Sequence, residues 1–401
     1  MNMVKKIFAK IFRFELDAHS ESFVMVIFGI RISCFRSFFR PFFRAFAQID
    51  NVEFDLHSLS YIRLRDALKT QAQKPSTDAP FLFFHYNYFG QGFKYGELGI
   101  NIGDYIQTIA TRNAVRKRYE NMDEVYFDRD NLSNYDGKNA IVVMQGWFSH
   151  VYSFFPNERL FPIFLGMHLS SSGVNFFLNF IKHNPYYFKN RVVGCRDLST
   201  TQIMKKLNIK HYFSRCLTLT LPKREVTPKN GKVYIVDVPK QYHKYIPVHL
   251  RKHAHYVEQR AVDKDLSIHD YYCRGEHYMK VASDLLIEYK EKASLIITSA
   301  LHCASPCTAM GIPVVLIDFD GNMDRFTTLN GIIPVYSKDD LKSGRINYSP
   351  SPPYIEQLKK AMLDNLEMSI NAVKEGKTLP VSGQQELWDY ISSFNVLKKQ
   401  A

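Results

Sequence analysis

Residues Lys292 to Asp318 read KASLIITSALHCASPCTAMGIPVVLID and carry the clearest fold signal in the chain. Within them, Leu295 to Ile297 is a short apolar run typical of a fully buried parallel strand. A helix of small residues opens at Leu301 and ends at Gly311, and the apolar residues Val314 to Ile317 form the next strand. This pattern of strand, loop, helix and strand predicts an open α/β sheet.

His302 lies in the first turn of this predicted helix, directly after the polar loop that ends the strand. In open α/β sheets, ligands bind beyond the carboxyl ends of the strands, beside helix N-termini that attract anions. His302 is therefore predicted to face a ligand site. The alternative interpretation is a core histidine whose ring is satisfied by its neighbours.

The length and composition predict two domains. The chain has 401 residues, of which 46% are apolar, and no Pro/Gly-rich spacer, which suits one large core or two medium ones. A polar linker, QKPSTDAP, precedes the predicted strand Phe81 to His85, and the polar segment Pro222 to Gly231 resembles a hinge. We expect one domain on each side of this hinge, with helices from Tyr354 to Lys374 and from Gln384 to Asn395 at the end.

The net charge of +13 implies an anionic partner, although composition alone does not separate nucleic acid, a lipid surface and a phosphorylated substrate. Residues 1–46 carry eight Lys/Arg against three acids, and their spacing predicts basic amphipathic helices at 5–14 and 33–46. Such helices bind an anionic membrane surface or pack on the rest of the protein, and both interpretations stay open. Nucleic acid is the poorer interpretation because no recognition motif accompanies the basic residues.

Cysteine usage and the lack of a targeting signal predict a cytoplasmic protein. The six cysteines are few for this length, and several lie in strand-like apolar surroundings, which suits reduced thiols. No apolar run reaches the length of a membrane span, and the N-terminus lacks the plain apolar core of a signal peptide. We expect a cytoplasmic location, with peripheral attachment to the inner face of the cell membrane if the basic segment binds lipid.

No metal site is predicted. Cys303 and Cys307 lie four residues apart on the predicted helix and could form half of a site. No second Cys/His pair has matching spacing, so packing as small core residues is the better interpretation. The histidine-rich segment His243 to His255 fits no compact set of ligands, and we interpret its histidines as solvated.

Polar residues follow several predicted strands, where ligands are usually held. Asp104 lies at a sharp turn allowed by Gly103 and is placed to cap the next helix. Trp147 follows a predicted buried strand, in a loop suited to facing a ligand. Arg196 ends another predicted strand. Taken alone, Asp104 would be only a helix cap and Arg196 a surface ion pair with Asp197, but their recurrence at strand ends favours a functional site.

Five short motifs follow one another along the chain: Asn101-Ile-Gly-Asp104-Tyr-Ile-Gln107, Gly146-Trp147-Phe148, Gly194-Cys-Arg196-Asp197 with Thr200, Ser214-Arg-Cys-Leu-Thr-Leu-Thr, and Thr298-Ser-Ala-Leu-His302-Cys with Gly311-Ile-Pro313. Together they resemble the polysaccharide pyruvyl transferase family. One motif would be weak evidence, whereas five in family order form a fairly specific pattern. The resemblance extends from about residue 80 to residue 335, and the N-terminal residues 1–75 lie outside it.

The resemblance implies an α/β fold of two Rossmann-like domains that face each other across a cleft, similar to GT-B glycosyltransferases. With the linker signals, it predicts four parts of the chain. These are a basic amphipathic helical extension and linker at 1–79, an N-terminal Rossmann-like domain at 80–225, a C-terminal Rossmann-like domain at 226–350, and C-terminal helices at 351–401.

The resemblance also implies an activity. A pyruvyl group would pass from phosphoenolpyruvate to two hydroxyls of one sugar, in an exopolysaccharide or capsule or in a lipid-linked precursor, giving a cyclic ketal and free phosphate. Phosphoenolpyruvate is the donor substrate, and no cofactor is expected. The partners that the resemblance implies are phosphoenolpyruvate and the sugar acceptor. The basic N-terminal segment adds an anionic membrane surface as an open alternative, and no nucleic-acid partner is expected.

Each matched position has a role that its chemistry permits. His302 would supply the proton that the methylene carbon of phosphoenolpyruvate needs, and Arg196 would hold a phosphate or carboxylate with paired donors. Asp104 would orient or deprotonate a sugar hydroxyl. The other implied donor-binding residues are Ser299, Arg325, Asn101 and Gly103, and the implied acceptor-side residues are Trp147 and His168.

One position departs from the family. Many members have arginine before Leu-His, where this chain has Ala300, and an anion site that loses an arginine loses roughly 2 kcal/mol of charge-assisted binding. Arg325 or Arg215 could supply the charge, and the alternatives are a changed donor, weakened activity or an engineered substitution. Two other functions stay open: a GT-B-type glycosyltransferase with a nucleotide-sugar donor, and a catalytically weakened protein that binds membrane surfaces.

Overall fold

The computed structural model describes residues 12–16, 22–27, 30–35, 56–86, 99–148, 152–262, 268–321 and 323–399. Contacts within the chain divide it into two compact units, Met1–Ser60 and Tyr61–Ala401. All residues that the sequence assigns to the candidate site lie in the second unit.

Most of the described part of the first unit is a three-stranded antiparallel sheet, and residues 56–60 begin the helix Leu56–Leu68. Its strands are β1 Phe12–Leu16, β2 Ser22–Ile27 and β3 Ile30–Phe35, in the order β1-β2-β3. The prediction of amphipathic helices is wrong at 12–14 and 33–35, which belong to these strands. Apolar and polar residues alternate with a period of two throughout β1 and from Ile30 to Cys34 in β3, which suits a strand. The remaining residues of the two predicted helices lie outside the described part.

The first half of the second unit contributes two parallel four-stranded sheets. One consists of β4 Phe81–His85, β6 Glu124–Asp128, β7 Ala140–Val143 and β9 Leu160–Ile163, in the order β6-β4-β7-β9. The other consists of β8 Gly146–Trp147, β10 Leu165–His168, β11 Val193–Cys195 and β12 His211–Phe213, in the order β12-β11-β10-β8. Because these strands are parallel, the carboxyl ends within each sheet share one edge.

The segment from Ile163 to Gly166 belongs to two different strands. Phe164 separates β9 from β10, and Gly166 inside β10 has a φ of +75°, a left-handed conformation that glycine adopts without steric cost. The pairing of β10 with β11 shifts register between Leu165 and Met167. The chain therefore passes from one sheet to the other at Phe164, and Gly166 lies just inside the second sheet.

The second half contributes a parallel five-stranded sheet that contains both strands predicted between Lys292 and Asp318. Its strands are β13 Lys232–Val236, β14 His255–Val257, β16 Ala293–Thr298, β17 Val314–Asp318 and β18 Val335–Ser337, in the order β14-β13-β16-β17-β18. Ile296 of β16 belongs to a large core that runs through both halves, and its neighbour Ile297 belongs to a smaller core. The sheet is therefore covered on both faces, as its continuous apolar strands require.

The described helices connect the strands and close the chain. They are α1 Leu56–Leu68, α2 Ile102–Arg116, α3 Ser171–His183, α4 Leu198–Lys206, α5 Val248–Arg251, α6 Ile268–Lys292, α7 Leu301–Ala309, α8 Lys338–Lys342, α9 Glu356–Glu375 and α10 Gln384–Ser393. The helix α7 between β16 and β17 confirms the strand, loop, helix and strand predicted from the sequence. Within the described ranges, no helix is both long and apolar enough to cross a membrane.

Two features join the halves of the second unit. The strands β5 Gly99–Asn101 and β15 Arg260–Val262 form a short antiparallel ladder between them. The last helix α10 returns to the first half, where Trp388 stacks on Tyr212 with ring centroids 4.2 Å apart. Because residues 61–401 form one compact unit, the cleft between two Rossmann-like domains stays a prediction.

Candidate active site

Arg196 and His302 meet where the two halves of the second unit touch. Arg196 follows β11 at the carboxyl edge of one sheet, and His302 lies in the first turn of α7, directly after β16 of another. Arg196 Nη1 lies 3.5 Å from His302 Nε2. A guanidinium group only donates hydrogen bonds, so Nε2 accepts in this contact. The structure thus brings together two side chains that the sequence assigns to one site.

The first turn of α2 packs against the same histidine. A Cβ atom on Gly103 would lie 2.8 Å from His302 Cβ and 3.0 Å from His302 Nδ1, which is too close for any other residue. Asn101 caps this helix, because its side chain accepts from Gly103 N at 3.1 Å. The interpretation of Asp104 as the cap is wrong, since the helix begins two residues earlier, at Ile102. Glycine at 103 therefore allows the two helix N-termini to meet.

Arg196 is held in place by a buried glutamine. Only 4% of Arg196 is exposed, and its Nη1 donates to Gln107 Oε1 at 3.2 Å. Its Nε lies 3.6 Å from Asp197 Oδ2 but, among the described residues, has no hydrogen-bond partner. Arg196 therefore keeps hydrogen-bonding capacity for an anionic ligand.

Asp104 lies behind Gln107, on the side away from Arg196. Gln107 Nε2 donates to Asp104 Oδ1 at 3.0 Å, and Arg129 Nη1 lies 3.7 Å from Asp104 Oδ2. The guanidinium of Arg129 is fully buried and also donates twice to Asp130 at 2.9 Å. Because a carboxylate only accepts and a guanidinium only donates, the Gln107 amide has one possible orientation between them. These contacts suit Asp104 to positioning Arg196 through Gln107.

The electrostatics around His302 favour its neutral form when no anion is bound. Burial lowers the pKa of His302 well below its usual range, and the positive charges of Arg196 and Arg325 lower it further. An anion bound to these guanidinium groups would offset their charges, so the pKa of His302 would rise. Anion binding and protonation of this ring are therefore coupled.

Arg325 provides a second guanidinium near His302. It lies in the short helical turn Met323–Leu329 after β17, and its Nη2 donates to Ser299 O at 3.1 Å. Ser299 is itself fixed, because its Oγ donates to Asp237 O at 2.6 Å. Arg325 Nε is buried and, within the described part of the chain, has no hydrogen-bond partner. Like Arg196, it keeps capacity for an anion.

Arg215 does not compensate for the alanine at position 300. Ala300 is the N-cap of α7 and supplies no capping side chain. The guanidinium of Arg215 is fully engaged in holding the backbone elsewhere, at 2.9 to 3.0 Å from the oxygens of Ile391, Thr328, Asn330 and Phe394. Of the two arginines that the sequence suggests as replacements, the structure places only Arg325 beside the candidate site.

Trp147 and His168 lie side by side at the carboxyl edge of the sheet that ends in Arg196. They are register partners in the pairing of β8 with β10, and their ring centroids are 6.1 Å apart. The charges of Arg196 and Arg325 act on His168 as they act on His302. Asp197 contacts both Arg196 and His168, so it links the predicted donor-side arginine to the predicted acceptor-side histidine.

Asp197 fixes the ring of His168. His168 Nδ1 lies 2.5 Å from Asp197 Oδ2, while Asp197 Oδ1 accepts from Thr200 N, Thr200 Oγ1 and Ser199 Oγ at 2.8 to 2.9 Å. Burial alone would raise the pKa of Asp197, but the hydrogen bond and charge of His168 and the N–H of Thr200 hold it well below its usual range. Asp197 is therefore a carboxylate, and its partner in the ring is a protonated Nδ1.

Two site residues, Gln107 and Asp197, have contacts that the sequence did not predict. Gln107 follows Asp104 by three positions, and this spacing places both side chains on one face of the helix. The contact between Gln107 and Asp104 could therefore have been predicted from the sequence. The sequence suggests Asp197 as a surface partner of Arg196, whereas it is fully buried and bonded to His168, 29 positions away. No local spacing could indicate that contact.

Cysteine and histidine side chains outside this site do not form a metal centre in the described part. No group there of three or more His, Cys, Asp or Glu side chains could hold a metal ion. Cys303 and Cys307 are fully buried in the large core, and burial raises the pKa of Cys307 well above its usual range. His249, His253 and His255 are exposed, as expected, whereas His243 is half-buried and its Nε2 lies 2.8 Å from Val238 O.

One comparison with known proteins gave a match, and it covers the part of the chain that contains most of the candidate site. A family model described as "Polysaccharide pyruvyl transferase" matches residues 101–321, slightly more than half of the chain. The matched region begins at the Asn101 cap and includes both Arg196 and His302, whereas Arg325 lies four positions beyond its end. Comparisons with curated proteins and with solved structures gave no match.

Proposed function

The chain belongs to the polysaccharide pyruvyl transferase family, and from this premise we propose that it transfers the pyruvyl group of phosphoenolpyruvate to two hydroxyls of one sugar, forming a cyclic ketal. The observation that carries the proposal is the 3.5 Å approach of Arg196 Nη1 to His302 Nε2. The Arg196 guanidinium can bind an anion and the His302 imidazole can transfer a proton. A reaction that protonates a small phosphorylated acid needs both groups close together.

The donor site combines two guanidinium groups with two helix N-termini. Arg196 and Arg325 each retain a buried Nε without a hydrogen-bond partner in the described part of the chain. The N-termini of α2 and α7 meet at Gly103 and His302, and helix N-termini favour negative charge. Phosphoenolpyruvate carries a phosphate and a carboxylate, so each guanidinium can bind one anionic group.

Arg325 takes the place of the arginine that many family members have before Leu-His. The side chain of Ala300 cannot bind an anion, whereas Arg325 reaches the neighbouring Ser299 O at 3.1 Å from a different segment of the chain. Its charge also acts on His302. The positive charge therefore comes from Arg325, in the segment after β17, instead of from position 300. Alanine at position 300 is thus compatible with an active enzyme.

The proposed reaction balances with these groups. A proton from His302 adds to the methylene carbon while the first sugar hydroxyl bonds to the adjacent carbon and gives its proton to a base. The second hydroxyl then displaces phosphate, which leaves with the electron pair of its C–O bond. The second hydroxyl proton returns to His302, and the base passes its proton to the departing phosphate. The products are the ketal, which now carries a methyl group, and phosphate.

The pKa of His302 provides a test of the donor site. In the free protein its ring should titrate well below about 6.5, the value for an unperturbed histidine, because of burial and the two guanidinium groups. Addition of phosphoenolpyruvate without a sugar should move this midpoint upward, because the ligand offsets those charges. The measurement is a histidine NMR titration assigned with the His302→Gln variant. A midpoint that stays constant or falls would place the donor elsewhere.

The activity itself is tested by phosphate release from phosphoenolpyruvate in the presence of a panel of free and lipid-linked sugars, with mass spectrometry of the products. We expect a product whose mass exceeds that of the sugar acceptor by the mass of the added pyruvyl ketal group. A thermal-shift comparison of phosphoenolpyruvate with nucleotide-sugars should show stabilisation by phosphoenolpyruvate alone. Stabilisation only by nucleotide-sugars, without ketal product, would assign the protein to glycosyl transfer instead.

We also propose that the basic N-terminal segment binds an anionic lipid surface, which would bring the enzyme to a lipid-linked acceptor at the inner face of the cell membrane. Residues 1–46 carry eight basic and three acidic side chains, and each basic residue near such a surface contributes roughly 1 kcal/mol. Deleting residues 1–46 should abolish sedimentation with anionic liposomes and leave turnover of a water-soluble acceptor unchanged. Equal sedimentation of the full and shortened proteins would remove this proposal.

A further inference from the structure

His168 and Asp197 form a pair with one defined tautomer. Asp197 is fully buried, and its Oδ2 lies 2.5 Å from His168 Nδ1. A carboxylate can only accept, so the ring proton is on Nδ1 and the lone pair of a neutral ring is on Nε2. Among the residues that the structure describes, none forms a hydrogen bond with Nε2 of His168. That nitrogen is available to accept a proton.

The ring of His168 is accessible from the candidate site. Its side chain is 14% exposed, compared with none of Asp197. Trp147 lies beside it at 6.1 Å between ring centroids, and an indole face of this kind can stack against the apolar face of a sugar. The charged groups that act on the ring are Asp197 and the guanidinium groups of Arg196 and Arg325, and His302 lies close enough for the two rings to interact.

The carboxylate of Asp104 is a poorer candidate for accepting a hydroxyl proton. It is 3% exposed, and both of its oxygens face other side chains, Oδ1 toward Gln107 and Oδ2 toward Arg129. A sugar hydroxyl would have to displace one of these partners. The ring nitrogen of His168 needs no such rearrangement, because its partner Asp197 contacts the opposite side of the ring.

We infer that His168, oriented by Asp197, is the catalytic base that removes the proton from the attacking sugar hydroxyl, an assignment that rests on the proposed function. In this step the hydroxyl proton passes to His168 Nε2 while the hydroxyl oxygen bonds to the central carbon of phosphoenolpyruvate. The electron pair of the carbon–carbon double bond takes up the proton delivered by His302. His168 therefore accepts a proton while His302 donates one. Asp197 orients the ring of His168, and Arg196 contacts the ring of His302.

The variant His168→Gln removes the base with little change in size. It should lower kcat by roughly 10²–10⁴-fold, the usual contribution of a positioned base, and should remove the loss of rate at low pH that protonation of His168 causes. Stabilisation by phosphoenolpyruvate in a thermal-shift assay should remain at the wild-type level, because the donor contacts Arg196 and His302. This retained donor binding also shows that the variant is folded.

Asp197→Asn tests the tautomer directly. Oδ1 of residue 197 accepts from three donors of Ser199 and Thr200, so an asparagine must place its carbonyl there and turn its amide N–H toward His168. The amide would donate to Nδ1 and force the ring proton onto Nε2, which then cannot accept. We expect a loss similar to that of His168→Gln, and ring ¹⁵N shifts should report the exchanged tautomer. Ser199→Ala is the matched control, because it removes one bond to Asp197 without touching His168, and it should retain activity within about threefold.

The outcomes distinguish a failure of the assignment of His168 as the base from a failure of the proposed function. If wild-type protein forms ketal and His168→Gln retains kcat within threefold with an unchanged pH profile, this inference is wrong and the proposed function stands. If Ser199→Ala is as damaged as Asp197→Asn, the effect is structural and the inference is also wrong. If wild-type protein releases no phosphate from phosphoenolpyruvate with any acceptor, the proposed function fails and the inference fails with it.

Discussion

Replacement of His302 by alanine should lower the rate of ketal formation from phosphoenolpyruvate by roughly 10²–10⁴-fold, the contribution expected of a positioned general acid. The side chain lies at the N-terminus of α7, with Arg196 Nη1 3.5 Å from its Nε2. Without the imidazole, the methylene carbon of phosphoenolpyruvate loses its proton source.

The melting temperature of the His302→Ala variant should stay close to that of the wild type. Alanine keeps the Cβ atom on which Gly103 packs, so the contact between the two helix N-termini is retained. Phosphate release measured with a soluble acceptor gives the rate, and calorimetry gives the stability. Undiminished turnover in this variant would remove His302 from the mechanism, and a large loss of stability would make the rate uninformative, in which case His302→Gln replaces it.

Replacement of Arg196 by alanine should reduce kcat/KM for the donor by more than roughly a hundredfold. Two charge-assisted hydrogen bonds to an anion are each worth about 1.5–3 kcal/mol, and each 1.36 kcal/mol is a factor of ten. The pKa of His302 should rise at the same time, because Arg196 is one of the charges that lower it. Kinetics with varied phosphoenolpyruvate and the NMR titration of His302 measure the two effects independently.

Two further variants separate charge from geometry at position 196. Arg196→Lys keeps the positive charge but cannot contact Gln107, His302 and an anion together, so its loss should lie between those of the wild type and the alanine variant. Arg191→Ala is the matched control: Arg191 is half-buried and bonds Tyr187 O and Gln71 Oε1, outside the site. Donor kinetics equal to wild type in Arg196→Ala would show that the anion binds elsewhere.

The elements around the site were predictable because their signals are local. The apolar runs at Leu295 to Ile297 and Val314 to Ile317, with Gly311 ending the helix between them, correspond to β16, β17 and α7. The need for glycine at position 103 was also predicted from the local sequence, whereas the helix cap was assigned to Asp104 and is Asn101 in the structure. Where local signals conflict, the prediction was wrong, as in β1, whose five residues alternate like a strand within a segment interpreted as a helix.

The sequence by itself determined the strands and the helix from Leu295 to Ile317, and the rule that polar side chains at strand ends share an edge of the sheet. Only the tertiary structure decided which of those side chains touch. Arg196 meets His302 across 106 positions and Gln107 across 89, while Asp197 contacts both its neighbour Arg196 and His168, 29 positions away. Secondary structure depends on residues within a few positions, whereas these contacts depend on how sheets and helices pack, and no spacing in a single chain records that packing.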